Sequence, residues 1–140
     1  MKRKRLTIFA AIIGCVALAG TPVEAEHPDD IIVIGNSDIP QDAINIDELR
    51  ELFLKERSTW RSAGKVMPIN AKKGSALRSE FRNRVLQLDR QSEDLFWEEQ
   101  KIRKGITPPP EFSRTERAVL KVPGGVSYVF RRDYHDSINK

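Results

Sequence analysis

The sequence predicts a small α/β domain in which a short sheet, at least partly parallel, is flanked by helices. Three apolar runs, at 31–34, 66–69 and 126–130, predict the strands of one sheet, because continuous apolar runs are typical of strands buried on both faces. Helical patterns separate these runs, and a strand–helix–strand order favours a parallel pair with a right-handed crossover. We therefore expect the first two strands to be parallel.

The first 25 residues have the pattern of a Sec-type signal peptide. Basic residues at 2–5 precede an apolar segment at 6–19, and a small-residue cleavage site ends at Ala25. The apolar segment is short for a membrane span, although an uncleaved anchor stays open as an alternative. The mature chain, 26–140, is expected to form a single periplasmic or secreted domain without a membrane span.

Cys15 leaves a second possibility for the N-terminus. The preceding residues read Ile-Ile-Gly and resemble a lipobox, so a lipoprotein anchored at Cys15 is the alternative. The apolar segment continues beyond the cysteine, which favours simple cleavage. Because the chain contains one cysteine, the mature domain would have no disulfide and would be held together by packing alone.

Cleavage would also remove most of the positive charge. The chain contains 24 Lys and Arg and 20 Asp and Glu, and residues 1–25 hold four of the former and one of the latter. The mature chain therefore has 20 basic and 19 acidic residues, a net charge of +1. This balance gives no ground for expecting a nucleic-acid partner.

Capping residues and apolar spacing predict four helices. The predicted N-caps are Asn45 with Glu48, Ser75, Ser92, and Ser113 with Glu116. The second helix has an apolar stripe of Leu77, Phe81, Val85 and Leu88. This spacing predicts that Phe81 is buried in the core. Gly105 is expected to end the third helix, and the prolines at 108–110 predict a stiff, extended connection.

The turn that opens the second helix is the best candidate for a binding site. Gly74 permits backbone angles closed to other residues and close approach of a ligand, and Ser75 offers a hydroxyl. The first-turn amides lack helical partners, the helix dipole favours negative charge, and Arg78 lies one turn away. An oxyanion could be held by Gly74, Ser75 and Arg78, although an ordinary turn and N-cap would use the same residue types.

The order and spacing of these features resemble one lobe of the substrate-binding protein of phosphate ABC transporters, in particular its short, single-lobe relatives. The resemblance covers nearly all of 30–130 and is carried by Phe53–Leu54, Trp60, Gly64, 66–69, 73–75, 77–78, Phe81, Phe96–Trp97, Gly105, Pro108–Pro109 and 123–129. It implies a type 2 periplasmic binding protein-like lobe that binds phosphate or a similar oxyanion, weakly or with a partner. A transporter, a sensor or a second lobe would be that partner.

The chain departs from the family pattern at the site itself. Ala76 and Leu77 stand where the family would have small or hydroxyl residues, and Ala71 lies near the position of an expected arginine. One lobe also supplies only half of a cleft. These departures support an alternative function, a ligand-free accessory or interaction module derived from a phosphate-binding protein lobe.

The remaining signals are weaker. Trp60 could anchor an interface, but a tryptophan in such a loop more often closes the edge of a core, and Trp97 is expected in the core. The central region is locally basic through Lys72, Lys73, Arg82, Arg84 and Arg90. These residues could form an anion funnel, but the interleaved acids favour a solvated helix face.

An enzyme is not expected. Neither His27 nor His135 has an apparent partner for nucleophilic catalysis, and the acidic pairs are adjacent residues whose side chains point apart. Clusters with metal-ligand spacing are not apparent either. We therefore predict no catalytic residue, no metal site and no cofactor.

Overall fold

The computed structural model describes residues 6–8, 27–40, 43–61 and 64–134, which form a mixed α/β fold. The strands are β1 (Leu6–Ile8), β2 (Ile31–Asn36), β3 (Met67–Pro68), β4 (Asn70–Ala71), β5 (Glu111–Phe112) and β6 (Gly125–Phe130). The α-helices are α1 (Ile46–Phe53), α2 (Ala76–Phe81), α3 (Arg90–Lys104) and α4 (Thr115–Lys121). A π-helical turn (Arg82–Leu86) follows α2, and a 3₁₀ turn (Arg131–Asp133) follows β6.

The larger sheet has four strands in the order β1-β2-β6-β3. β2 is antiparallel to both β1 and β6, and β3 is parallel to β6. The three apolar runs therefore belong to one sheet as predicted, but the prediction that the first two are parallel is wrong. The reason is β6, whose six residues are all buried. It takes the central position between β2 and β3 and runs opposite to β2.

Of the second predicted strand, at 66–69, only Met67–Pro68 form a strand, and a separate short strand follows directly after it. Met67–Pro68 pair with β6, whereas Asn70–Ala71 pair in parallel with Glu111–Phe112 in a separate two-stranded sheet. Pro68 is tolerated in β3 because β3 is an edge strand, and its neighbours Met67 and Ile69 donate their N–H groups to the β6 side. The pairing of β4 with β5 places β5, which follows the prolines, next to the turn before α2.

The hydrophobic core lies on both faces of β2 and β6. On one face the rings of Phe53, Phe81 and Tyr128 pack together, with Phe81 stacked on Tyr128 at 3.7 Å between ring centroids. Phe81 is 0% exposed, so its predicted burial is confirmed. On the other face, Val119 of α4 packs against Ile34. α2 is thus fixed to the sheet by its aromatic residue.

Two of the four predicted N-caps are confirmed. The side chain of Asn45 accepts a hydrogen bond from the Glu48 N–H at 2.8 Å, and Ser75 accepts one from the Arg78 N–H at 3.2 Å. The sequence also predicts that the Glu48 carboxylate caps the Asn45 N–H in return, but this carboxylate has other partners. That carboxylate is buried and pairs with Arg57 and Arg61.

The other two caps are wrong. Asp89 rather than Ser92 caps α3, and its carboxylate accepts the Ser92 N–H at 2.7 Å. At α4 the N-cap position is Arg114, which makes no side-chain capping bond, so the capping box expected from Ser113 is not formed. Gly105 ends α3 as predicted, with φ at +66°.

The N-terminal predictions lie mostly outside the described residues. The cleavage site at Ala25, Cys15 and also His135 belong to that part of the chain. Leu6–Ile8, which the sequence assigns to the signal peptide, pair with β2. Among the helices of the described residues, none is long and apolar enough to cross a membrane.

Candidate functional site

The turn at Gly74 and Ser75 has the local geometry that its sequence predicts. Gly74 adopts φ of +89°, which favours glycine, and the space where a Cβ would stand is open. The Ser75 hydroxyl donates to the Lys72 carbonyl at 2.7 Å and accepts the Arg78 N–H at 3.2 Å. This hydroxyl therefore serves the turn and the helix start, which is the ordinary structural role of an N-cap serine.

Arg78 is buried, with only 4% of its surface exposed. Its guanidinium donates to the Ala71 carbonyl at 3.2 Å and makes a close ion pair with Glu93. A second carboxylate, from Glu111, lies 3.6 Å away. The predicted anion-binding arginine is therefore neutralised by carboxylates of its own chain.

Glu93 brings α3 into this cluster. It is 4% exposed, and its second carboxylate oxygen lies 3.8 Å from the guanidinium of Arg82. Within the described residues, the Nε atoms of Arg78 and Arg82 are buried and have no hydrogen-bond partner. Because a buried guanidinium is costly without an anion, this one carboxylate stabilises two arginines at once.

Glu111 reaches the cluster through the small sheet of β4 and β5. Asn70 is opposite Glu111 in that sheet, and the Asn70 N–H donates to the Pro110 carbonyl at 2.8 Å. The Glu111 carboxylate accepts the N–H of Lys73 at 2.7 Å, immediately before Gly74. A carboxylate is an anion with two acceptor oxygens. Glu111 thus occupies a backbone donor of the turn and lies beside Arg78, where a bound oxyanion was expected.

We define the acid–arginine cluster as Arg78, Arg82, Glu93 and Glu111. Its two arginines and two carboxylates balance in formal charge. A cavity of about 420 Å³ adjoins it and is lined by Arg78, Glu93, Trp97, Glu111 and the three prolines at 108–110. At its rim the Lys73 ammonium binds Asp94 at 2.6 Å, and this hydrogen bond lowers the pKa of Asp94.

Three of the five basic residues of this region, Lys73, Arg82 and Arg84, lie beside acids. Arg84 pairs with Glu80 at 2.8 Å, one helical turn away, and both side chains are partly exposed. With Lys73 bound to Asp94 and Arg82 beside Glu93, these cations are shared with acids. The exposed pairs of Lys73 and Arg84 agree with a solvated, charge-balanced surface rather than with a funnel for anions, whereas Arg82 is buried.

Both tryptophans are buried, as the packing interpretation predicted. Trp60 is 3% exposed and Trp97 is 8% exposed, and both belong to the main core cluster. Trp97 also makes an edge contact with Phe96, 4.9 Å between centroids. Leu95 and Ile102, on the opposite face of α3, are exposed instead.

Sequence reasoning missed the two carboxylates. For Glu93 a signal existed, because it precedes Trp97 by four residues and so lies on the same, buried face of α3. A charged residue on an apolar face points to a buried partner. For Glu111 we find no such signal. Its position follows from the pairing of β5 with β4, which joins segments far apart in the sequence.

Within the described residues, no group of three or more His, Cys, Asp and Glu side chains is placed to hold a metal ion. Comparison of the chain with protein-family models finds no match, and comparison with curated proteins finds none either. The resemblance to phosphate-binding lobes therefore stays a prediction from sequence.

Proposed function

We propose that this protein is an exported accessory or interaction module, built like a single binding-protein lobe, that does not need a ligand to complete its fold. The observation that carries the proposal is the neutralisation of Arg78 by Glu93 and Glu111. An anion entering this cluster would add negative charge to a set of residues already balanced. We do not propose an enzyme, a metal site or a cofactor for this chain.

A ligand that enters the acid–arginine cluster would have to displace a carboxylate of the protein from Arg78. Glu93 is buried and shared by two arginines, so removing it from Arg78 would leave charges unpaired in a poorly solvated place. Ser75 offers little compensation because its hydroxyl is engaged with Lys72 and Arg78. A free oxyanion competes against carboxylates that the fold already holds in position, which favours the ligand-free state.

One observation favours a second candidate, weak binding of phosphate or a similar oxyanion. The side chain of Glu111 is 38% exposed, and its carboxylate is held by the Lys73 N–H and lies beside Arg78. If Glu111 swung into solvent, the Lys73 N–H beside Gly74 would be released, and Glu93 would be the one carboxylate left beside Arg78. Such a half-open site would bind with Kd of about 0.1–1 mM, which corresponds to roughly 4–5.5 kcal/mol.

A thermal-shift titration with phosphate and sulfate separates the two candidates. For the accessory module we expect no rise in melting temperature of the wild type at millimolar anion, since a ligand stabilises only the state that it binds. The Glu111→Gln variant removes the competing charge and keeps the side-chain size. Glu80→Gln is the matched control, because Glu80 pairs with Arg84 on the solvated face.

The outcomes are distinct. A wild type that is stabilised by phosphate, more strongly so in Glu111→Gln, and that loses the response in Gly74→Val, would replace the accessory module with the oxyanion-binding candidate. A response equal in wild type and Glu80→Gln, and unchanged in Gly74→Val, would move any anion site away from this turn. No response in any of the variants is the result we expect.

Export belongs to the same proposal. The mature protein should begin at Glu26, and mass spectrometry of the exported protein measures this directly. A lipid-modified Cys15 at the N-terminus would replace it with a membrane-anchored lipoprotein. For a module of this kind, a transporter, a sensor or a second lobe is the class of partner that the sequence resemblance suggests.

A further inference from the structure

The outer edge of β2 is the feature that the proposed function does not use. The other edge pairs with β6 from Ile31 to Gly35. The outer edge pairs with Leu6–Ile8, which lie antiparallel opposite Ile34, Gly35 and Asn36. The structure therefore demonstrates that an antiparallel strand fits along this edge.

β2 has the composition of a central strand rather than of an edge strand. It reads Ile-Ile-Val-Ile-Gly-Asn, and all six residues are buried. Natural edge strands avoid further pairing by charged residues, prolines or bulges, and β2 contains no charge and no proline. A strand of this kind is suited to having a neighbour on both sides.

The strand that lies there belongs to the segment that the sequence assigns to the signal peptide. Cleavage after Ala25 would remove Leu6–Ile8 and open the backbone groups with which they pair. An apolar strand with an open edge is a template for strand addition. The exported chain would therefore carry one edge that requires a new neighbour.

The backbone pattern identifies the groups on this edge. Arg131 N–H donates to the Asp30 carbonyl, so the residue pair at 30 and 131 is a hydrogen-bonded one in the antiparallel register of β2 and β6. Hydrogen-bonding direction alternates along a strand, so Ile32 and Ile34 also face β6. The N–H and C=O groups of Ile31, Val33 and Gly35 therefore face the outer edge.

We infer that a second copy of this chain occupies the outer edge of β2 after signal cleavage, by antiparallel pairing of the two β2 strands. Pairing with Val33 opposite Val33 would place Ile31 of each copy opposite Gly35 of the other. This register uses all three outward-facing residues of both strands, and a bulky residue meets a glycine. It also joins two uncharged strands, so no like charges oppose each other.

Pairing of the two β2 edges gives a two-fold dimer rather than an open-ended assembly, because each copy contributes the same edge to the contact. In the part of the mature chain that the structure describes, β2 provides one such edge, and a two-fold pair uses the edge of each copy and leaves neither exposed. The result is a continuous sheet through the dimer with β2 in a central position in each half. This inference depends on signal cleavage and not on whether the acid–arginine cluster binds an anion.

The experiment uses the protein purified in its exported form from cells that express the full sequence. Sedimentation equilibrium gives the mass in solution, and amide hydrogen exchange is followed by NMR over a dilution series. We expect a dimer whose Ile31, Val33 and Gly35 amides exchange at least roughly tenfold faster on dilution. The amides of Ile32 and Ile34, which face β6, are the internal control and should stay protected.

Three results would overturn the inference. A monomer at all concentrations would do so, whether or not the three outward amides are protected. A dimer in which these amides exchange freely would use another surface. An exported protein that still contains residues 6–8 would keep Ile34–Asn36 paired with its own β1, so the proposed pairing along the whole edge could not form.

Discussion

Two buried residues of α2, Arg78 and Phe81, lie three positions apart and are held in opposite ways. Phe81 packs against Phe53 and Tyr128 in an apolar environment, where burial itself is favourable. Arg78 lies between Glu93 and Glu111, where burial is unfavourable unless the partners stay in place. The same short helix thus depends on packing at one end and on charge balance at the other.

The largest effect is expected in the apolar region. Phe81→Ala should lower the free energy of unfolding by roughly 3–5 kcal/mol, because it empties a site at the centre of the core. Urea titration measures this change. Leu77→Ala is the control, since Leu77 is only partly buried at the margin of the same stripe, and it should cost clearly less. A loss below about 1 kcal/mol for Phe81→Ala would contradict the aromatic core.

The acid–arginine cluster should come next. Glu93→Gln keeps the side-chain size but removes the charge shared by Arg78 and Arg82, so we expect a loss of roughly 2–3 kcal/mol. Glu98→Gln, on the exposed side of α3, should change stability by less than about 0.5 kcal/mol. Equal effects of the two substitutions would mean that the Glu93 carboxylate does not stabilise the buried arginines.

A double-mutant cycle shows whether the two regions differ in kind. Glu93→Gln alone leaves the buried guanidinium of Arg78 without this carboxylate. When Arg78→Met is added, that unpaired charge is removed as well. The double variant should therefore cost about 0.5–3 kcal/mol less than the sum of the single variants. Additive losses would indicate that Arg78 and Glu93 act independently. The charged and apolar regions would then differ only in how much free energy of unfolding each substitution removes.

Tyr128 connects the two regions, and its hydroxyl tests the connection. The ring stacks on Phe81, while the hydroxyl donates to the Asn70 side chain at 3.0 Å and accepts the Ala71 N–H at 3.2 Å. Burial raises the pKa of Tyr128 well above its ordinary value, so the hydroxyl remains a donor at neutral pH. Tyr128→Phe should cost about 1–2 kcal/mol, because two buried polar groups lose a partner.

The measurement for Tyr128→Phe is again urea titration, with hydrogen exchange at Ala71 as the local readout. Ala71 N–H should exchange faster in the variant, since its acceptor is gone. A stability equal to the wild type would mean that the apolar region holds β4 without this hydrogen bond.

The sequence predicts the apolar region far better than the charged one, and the reason is physical. Burial of Phe81 follows from spacing along one helix, and the strand at 126–130 follows from an unbroken apolar run. Both signals are local. The direction of β2 relative to β3 is not local, because it depends on which strand takes the centre of the sheet.

The candidate site shows the same limit. Gly74 and Ser75 could be assigned to a turn and a cap because their roles depend on neighbouring residues. Whether Arg78 is open to a ligand depends on Glu93 and Glu111, which reach it from another helix and another strand. Residue types alone identified the cation but not the carboxylates that neutralise it.

The smallest effect concerns Asp89, which caps α3 at the turn that carries Glu93. The hydrogen bond from the Ser92 N–H lowers the pKa of Asp89, so the folded state favours the charged carboxylate. Because the folded pKa lies below the unfolded one, this stabilisation is present above about pH 4 and is lost as pH falls through the folded pKa.

Asp89→Asn keeps a good N-cap without a titrating group, so its stability relative to the wild type should improve on acidification. Asp89→Ala lacks the cap at every pH and should be the least stable of the three near neutrality. Thermal melts between about pH 2.5 and pH 6 measure these differences, and a wild type that keeps a constant advantage over Asp89→Asn across that range would contradict the role of the charged cap.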